Sequence, residues 1–282
     1  MSLEWKPPAK VEELFAKAAG SIPSTFNAAT AGARSQQELP TGSASLQLYS
    51  LATPNGQKVG ILLEELEVEY DAHVINLVKG EQFTSGFVQV NPNSKIPALV
   101  DKEGPDGQSI NLFESASINL YLAEKYGGRF IPRDPRLRAE MMNWLFWQMG
   151  GFGPFLGQLG HFFVYAPADK VETRDYGVAR YGMETQRLCS VLDQHLEGRQ
   201  YMVGDEYSLA DIAIFPWFNG LRNGYKHPSG VSAKDFLSID QYKNANAWAD
   251  RILERPAVQR GVTVCHFADG PKPWLKPKAA EK

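Results

Sequence analysis

The sequence predicts a fold of the α/β plus all-α class, in which a small domain on a mixed four-stranded sheet is followed by an all-helical domain. Between residues 46 and 129, strand and helix patterns follow one another in the order β-α-β-α-β-β-α. After two prolines in the segment 130–136, the strand patterns stop and helical spacing continues. A helical crossover followed by a hairpin implies a mixed sheet with helices on both faces.

The first elements follow a segment that does not look like a domain. Residues 1–45 mix Pro, Gly, Ala and Ser with weak periodicity, which favours an extended arm. The stretch LQLYSL at 46–51 predicts the first strand. After the break at 53–56, apolar residues at positions i, i+3, i+4 and i+7 predict a helix with one buried face, and these residues are Val59, Leu62, Leu63 and Leu66.

The rest of the first domain consists of short elements. The stretch GFVQV predicts a short helix or a loop. The domain closes with a helix at 114–127, for which Ser115 is the predicted N-cap residue and Gly127 the C-terminal stop. Alternation and flanking turn residues predict three further strands, at 70–77, 97–100 and 109–113.

The second half contains one strong helix-start signal. In GDEYSLADIAIFPW, Ser208 at the N-cap and Asp211 three residues later form a capping box, whose loss should cost about 1 kcal/mol. The predicted organisation is an N-terminal arm at 1–45, an α/β domain at 46–129, a linker at 130–136, an all-helical domain at 137–262 and a C-terminal tail at 263–282.

Composition excludes several classes of function. The net charge is −3 and the basic residues are scattered, which argues against a nucleic-acid partner. No apolar run approaches the ~18 residues of a membrane helix, and no secretory signal is evident, so we expect a cytoplasmic protein without a membrane partner. The two cysteines form no C-x-x-C motif and the five histidines form no ligand pair, so we expect neither a protein redox disulfide nor a metal.

Two polar stretches stand where helices begin. Thr53 and Asn55 lie between the first strand and a helix whose free N–H groups and dipole stabilise an anion, such as a phosphate or a thiolate. The alternative is that these side chains only cap the helix. Glu114 and Ser115 open the last helix of the domain, a combination that suits the ammonium and carboxylate of an amino acid.

Of two further stretches, one predicts a contact with a ligand and the other argues against a nucleotide site. In NPNSKIPAL, a cis Ile96–Pro97 bond would turn the backbone of Ile96 outward, where it could pair with an extended peptide-like ligand. By contrast, the glycine-rich stretch GGFGPFLGQLG at 150–160 lacks the G-K-[ST] ending of a phosphate-binding loop. It is therefore not predicted to bind a nucleotide.

Taken together, LYSLATPNGQKV, QFTSGFVQVNPNSKIPALVD and MNWLFWQMG resemble the cytosolic glutathione transferases, and specifically the nu-class, disulfide-reductase branch. The resemblance spans residues 46–262. It implies a thioredoxin-like first domain that binds glutathione, a helical second domain, and a homodimer. It also implies that glutathione is a co-substrate.

The resemblance implies particular site residues. Glu114 and Ser115 would hold the γ-glutamyl end of glutathione, and Ile96 would pair with its cysteinyl backbone. Thr53 and Asn55 would face the sulfur as the catalytic residues. The other implied glutathione contacts are Asn27, Pro54, Gln82, Lys95, the cis proline Pro97, Gln148 and Arg180.

The leading hypothesis is glutathione-dependent reduction of small or mixed disulfides. Because the chain has no C-x-x-C motif, the attacking sulfur must belong to bound glutathione. Two alternatives stay open. The same thiolate could attack an electrophilic carbon or a peroxide, or the chain could be a non-catalytic regulator on the same fold, although residues 1–45 contain few of the Asn and Gln residues of such a regulator.

Overall fold

The computed structural model describes residues 8–15, 28–167 and 171–267 and confirms the predicted fold class. In this described part, the strands are β1 (Leu46–Ser50), β2 (Tyr70–Val74), β3 (Ala98–Asp101) and β4 (Ile110–Phe113). They form one sheet in the order β2-β1-β3-β4. β1 pairs parallel with β2 and antiparallel with β3, and β3 pairs antiparallel with β4, so the sheet is mixed as predicted.

Helices cover both faces of this sheet. The helices of the first domain are α1 (Pro54–Leu66), α2 (Ser85–Val90) and α3 (Ser115–Lys125). One sheet face, with Leu48 and Leu99, packs with α1 and α3 in the large apolar core. The other face, with Tyr49 and Ala98, packs against Phe87 of α2 in a smaller cluster. The stretch GFVQV therefore forms a helix rather than a loop.

The second half is helical throughout the ranges that the structure describes. Isolated bridges such as Val203 with Glu206 are its only strand-like pairings among the described residues. Two π-helical turns interrupt this half, one at Gln148–Phe152 after the helix that ends at Trp147 and one at His161–Tyr165 after the helix that ends at Gly160. The helices are α4 (Pro135–Trp147), α5 (Gly153–Gly160), α6 (Val171–His195), α7 (Leu209–Asn223), α8 (Ala233–Phe236), α9 (Lys243–Leu253) and α10 (Pro256–Gly261).

Two of the three predicted helix-end signals are confirmed. Ser208 and Asp211 form the capping box of α7, and Gly127 adopts a φ of 87° just beyond α3. The prediction that Ser115 is the N-cap of α3 is wrong. The N-cap residue is Glu114, at φ 68° and ψ 114°, and the Ser115 hydroxyl is turned toward the lysine of a neighbouring helix instead.

The segments that flank the first domain are attached to it by hydrogen bonds. In the arm, Ser35 bridges to Thr84, and the Pro40 carbonyl accepts from the hydroxyl of Tyr49 at 2.8 Å. Near the end of the described chain, the carbonyl of Cys265 accepts from the N–H of Ala52 at 3.2 Å. None of the described helices combines the length and the hydropathy that a membrane crossing requires.

Candidate active site

A cavity of about 170 Å³ opens where β1, β3 and β4 meet the helices that follow them. It contains a carboxylate, a hydroxyl, two amides and an ammonium group, which suits a small ligand that carries both signs of charge and peptide groups. Six of the predicted site residues line it, namely Asn55, Lys95, Ile96, Pro97, Glu114 and Ser115. Asn91 and Met149 complete the lining.

Thr53 and Asn55 are positioned by the turn from β1 into α1. Thr53 is the N-cap residue, and its Oγ1 accepts from the N–H of Gly56 at 3.4 Å. The turn requires glycine at position 56, because a Cβ there would lie 1.9 Å from the carbonyl oxygen of Leu51. Pro54 occupies the first helical position, where it needs no N–H partner. Thr53 therefore does cap the helix, as the alternative held. Its hydroxyl oxygen accepts in that contact, so the hydroxyl hydrogen remains available to a ligand.

The opposite wall is formed by the loop before β3 and by the β4–α3 junction. The Ile96–Pro97 peptide bond is cis, as the family resemblance implied. Glu114 is held at a positive φ that non-glycine residues rarely adopt, a kind of strain that concentrates at ligand sites. The Asn91 side chain donates to the Lys95 carbonyl at 2.5 Å and so fixes the shape of the loop.

Lys58 lies behind the cavity lining, in contact with the lining residues Ser115 and Met149. Its side chain is completely buried, and its Nζ donates to Gln148 Oε1 at 2.5 Å and to Ser115 Oγ at 3.4 Å. Burial lowers the pKa of the Lys58 ammonium to about 7, and the nearby Glu114 carboxylate opposes this shift. Lys58 donates to Ser115 Oγ, and the Ser115 hydroxyl in turn donates to Met149 Sδ at 3.7 Å, a weak acceptor that a ligand oxygen in the cavity can replace.

We expect wild-type stability to rise with pH above neutrality, and the Lys58→Met variant to lack this rise. The folded-state pKa of about 7 lies below the ordinary value of 10.5, so the unfolded chain binds one more proton between these pH values. The free energy of unfolding then increases by about 1.4 kcal/mol per pH unit in that window and is flat below it.

Urea unfolding of the ligand-free protein at pH 6 and pH 9 measures this difference. Lys95→Met, at an exposed lysine on the cavity rim, is the control and should keep the wild-type pH dependence. Parallel pH dependences in wild type and Lys58→Met would show that the buried ammonium does not titrate in this range.

The other predicted site residues lie outside the cavity lining, and these include Thr53 and Pro54, which precede the lining residue Asn55 at the start of α1. Gln148 is buried and acts on the site through Lys58 rather than by facing the cavity. Gln82 is buried in the turn Glu81–Phe83, and its Oε1 has no partner among the described residues. Arg180 is exposed on α6, with its guanidinium 5.9 Å from the ring of Phe155. Asn27 lies outside the described residues.

Sequence reasoning missed four residues around the cavity. Asn91 belongs to a loop that was singled out, and its side chain could have been included on that basis. Met149 and Lys58 meet at 3.4 Å between Sδ and Nζ, although 91 residues separate them. Trp217 donates its indole N–H to Asn55 from the other domain. No local pattern identifies contacts between residues this far apart in the chain.

Comparisons with known proteins identify the family of this chain. A family model of the glutathione S-transferase N-terminal domain matches residues 52–125, and one of the C-terminal domain matches residues 158–256. The disulfide-bond oxidoreductase YghU of Escherichia coli (strain K12) is 48% identical over 263 residues, which cover 90% of this chain and 86% of that protein.

Solved structures show the same likeness. Glutathione transferase YghU from Streptococcus pneumoniae, complexed with glutathione, has a TM-score of 0.83 and 44% identity, covering 94% of this chain and 99% of that one. A glutathione transferase from Pseudomonas putida, with one glutathione disulfide bound per subunit, has a TM-score of 0.72 and 44% identity. The match to it covers 79% of this chain and 93% of that one.

Proposed function

We propose that this chain, which belongs to the glutathione S-transferase family, reduces small or mixed disulfides with the thiol of bound glutathione. The observation that carries the proposal is that Asn55, in the first turn of the helix that Thr53 caps, lines one cavity with the peptide- and amino-acid-binding set of Ile96, Glu114 and Ser115. The named activity of the relative that is 48% identical supports it.

Binding follows from the charges and donors of the cavity. The Glu114 carboxylate pairs with the α-ammonium of the γ-glutamyl group, and the Ser115 hydroxyl donates to its carboxylate. The backbone of Ile96 hydrogen-bonds the cysteinyl residue. These contacts direct the cysteinyl sulfur toward Thr53, where the hydroxyl and the dipole of α1 lower the pKa of the thiol.

The chemistry is two successive thiol–disulfide exchanges. The bound thiolate attacks one sulfur of the substrate disulfide, so a mixed disulfide forms and one substrate thiolate leaves. A second glutathione thiolate attacks the glutathione sulfur of that mixed disulfide, which gives glutathione disulfide and the second substrate thiolate. The two thiolates take up the two protons that glutathione released. Two glutathione thiols are thus oxidised while one disulfide is reduced, so the reaction requires no metal.

The test compares three substrates at one glutathione concentration. We expect kcat/KM for a small symmetric disulfide to exceed those for chlorodinitrobenzene and for a hydroperoxide. Higher values for either of the latter two would favour conjugation or peroxide reduction by the same thiolate. If no substrate reacts above background while glutathione still binds, the regulator alternative replaces the enzyme.

We also infer that the chain forms a homodimer and works in the cytoplasm. The dimer would cover apolar side chains that the monomer leaves in water. These exposed residues lie on β4, α4 and α6 and are Phe113, Leu137, Phe146, Tyr176 and Met183.

The dimer has a direct test. Light scattering should give about twice the 31.3 kDa of one chain, and Met183→Glu should shift the mass toward the monomer because it places a charge against an apolar partner surface. Val78→Glu, at an exposed residue of the first domain, is the control and should leave the mass unchanged. A single peak at the monomer mass for wild type would remove the dimer.

A further inference from the structure

One hydrogen bond joins the helical domain to Asn55, in the turn from β1 into α1. The indole Nε1 of Trp217, on α7, donates to Oδ1 of Asn55 at 3.0 Å, across 162 residues of sequence. The indole is nearly buried, with 8% of Trp217 exposed. This contact is available only when the two domains are packed together.

The contact fixes the orientation of the Asn55 amide. An indole nitrogen can only donate, so the amide must present its oxygen to Trp217. The Nδ2 group, with two N–H donors, then occupies the other side of the amide. Asn55 is one of the residues that line the cavity, so an amide held in this way supplies donors to the cavity rather than an acceptor.

Two glycines of the glycine-rich stretch at 150–160 lie directly against the indole of Trp217. A Cβ on Gly153 or on Gly157 of α5 would lie 3.3 Å from the ring of Trp217, which is tighter than ordinary contact. The two glycines are one helical turn apart and therefore share a face. This stretch, which carries no nucleotide-binding motif, thus allows α5 to approach the indole closely.

We propose that Trp217 is a positioning residue for the disulfide reductase reaction: its indole N–H holds the Asn55 amide so that Nδ2 donates to the thiolate of bound glutathione. The inference rests on the proposed function and deepens it, because it assigns a role in thiolate stabilisation to a residue of the second domain. Without the indole N–H, the amide can rotate and turn Oδ1 toward the thiolate, so a donor is replaced by a repulsive acceptor.

The effect should appear in the acidity of the bound thiol. In Trp217→Phe, which keeps an aromatic ring but removes the N–H, we expect the pKa of the bound glutathione thiol to rise by about one unit. Turnover at neutral pH should fall about ten-fold, while KM for glutathione should change by less than about two-fold. A residue with a merely structural role would not move the thiol pKa at unchanged binding.

The decisive experiment is a double-mutant cycle between Trp217→Phe and Asn55→Ala, read by ultraviolet titration of the thiolate of bound glutathione. We expect Trp217→Phe to raise the thiol pKa in the wild-type background and to have no further effect in the Asn55→Ala background. Equal shifts in both backgrounds, or no shift in either, would overturn the inference. If Trp217→Phe does not fold, Trp217→Leu, which also removes the indole N–H, takes its place in the same cycle.

A matched control shows whether the effect comes from the contact between Trp217 and Asn55 or from the loss of any buried indole N–H. Trp248 donates its indole N–H to Asp211 at 2.8 Å, so Trp248→Phe removes the same group elsewhere and should leave the thiol pKa unchanged. The titration needs no disulfide, so absence of turnover with a normal titration contradicts the proposed function alone. Absence of glutathione binding to wild type would overturn both.

Discussion

Thr53→Ala should lower kcat for glutathione-dependent disulfide reduction about 10- to 100-fold, with a much smaller change in glutathione binding. The Thr53 hydroxyl accepts from the Gly56 N–H at 3.4 Å and keeps its own hydrogen to donate to the thiolate. A hydrogen bond to a charged sulfur is worth more than one to the neutral thiol, so its loss raises the pKa of the thiol and reduces the thiolate fraction.

Thr53→Ser is the control, because it keeps the hydroxyl and should retain most of the activity. Steady-state kinetics give kcat, and calorimetry gives glutathione affinity. If Thr53→Ala weakened binding and turnover by equal factors, Thr53 would bind glutathione without activating it. The variant should also lose a little stability, since the hydroxyl caps α1.

Asp211→Ala should lower the free energy of unfolding by about 3–5 kcal/mol, well above the value of a capping box alone. The buried Asp211 carboxylate accepts from the N–H and the hydroxyl of Ser208, from the N–H of Met202 at 2.8 Å and from the indole of Trp248 at 2.8 Å. Alanine would leave these buried donors without an acceptor, and each orphaned donor costs about 1–3 kcal/mol.

A second site in the chain provides a matched control for this prediction. Ser232 and Asp235 have the same spacing at the start of α8, but Asp235 is exposed and accepts from the Ser232 hydroxyl at 2.6 Å. Asp235→Ala should therefore cost less than about 1 kcal/mol, because water replaces the lost acceptor. Urea unfolding measures both. Equal losses in the two variants would mean that the buried contacts of Asp211 add nothing to the cap.

The sequence predicted the order of elements well because local signals specify them. β-alternation, the helical spacing after Gly56 and the capping box at Ser208 each depend on neighbours within a few residues, and the structure places the strands within three residues of their predicted bounds. The motif that predicted Asn55 and the motif that predicted Glu114 are likewise local, and both side chains line the cavity.

What the sequence could not predict depends on packing between distant segments. Lys58 would ordinarily be solvated, but α1 lies between other helices and is buried from Lys58 to Leu66, so the lysine must reach Gln148. The prediction that Ser115 caps α3 is wrong for the same reason, since the Ser115 hydroxyl accepts from Lys58 of a neighbouring helix. The Trp217 contact with Asn55 likewise exists only once the domains are joined.

The central claim is that the attacking sulfur belongs to glutathione and not to the protein. Both cysteines of the chain, Cys189 and Cys265, are buried, and burial raises the pKa of the Cys189 thiol. The most direct test is the steady-state rate of glutathione-dependent reduction of a small symmetric disulfide by the Cys189→Ala/Cys265→Ala double variant, after its fold is confirmed by circular dichroism. The account predicts a rate close to wild type. A rate reduced to background in a folded double variant that still binds glutathione would contradict it.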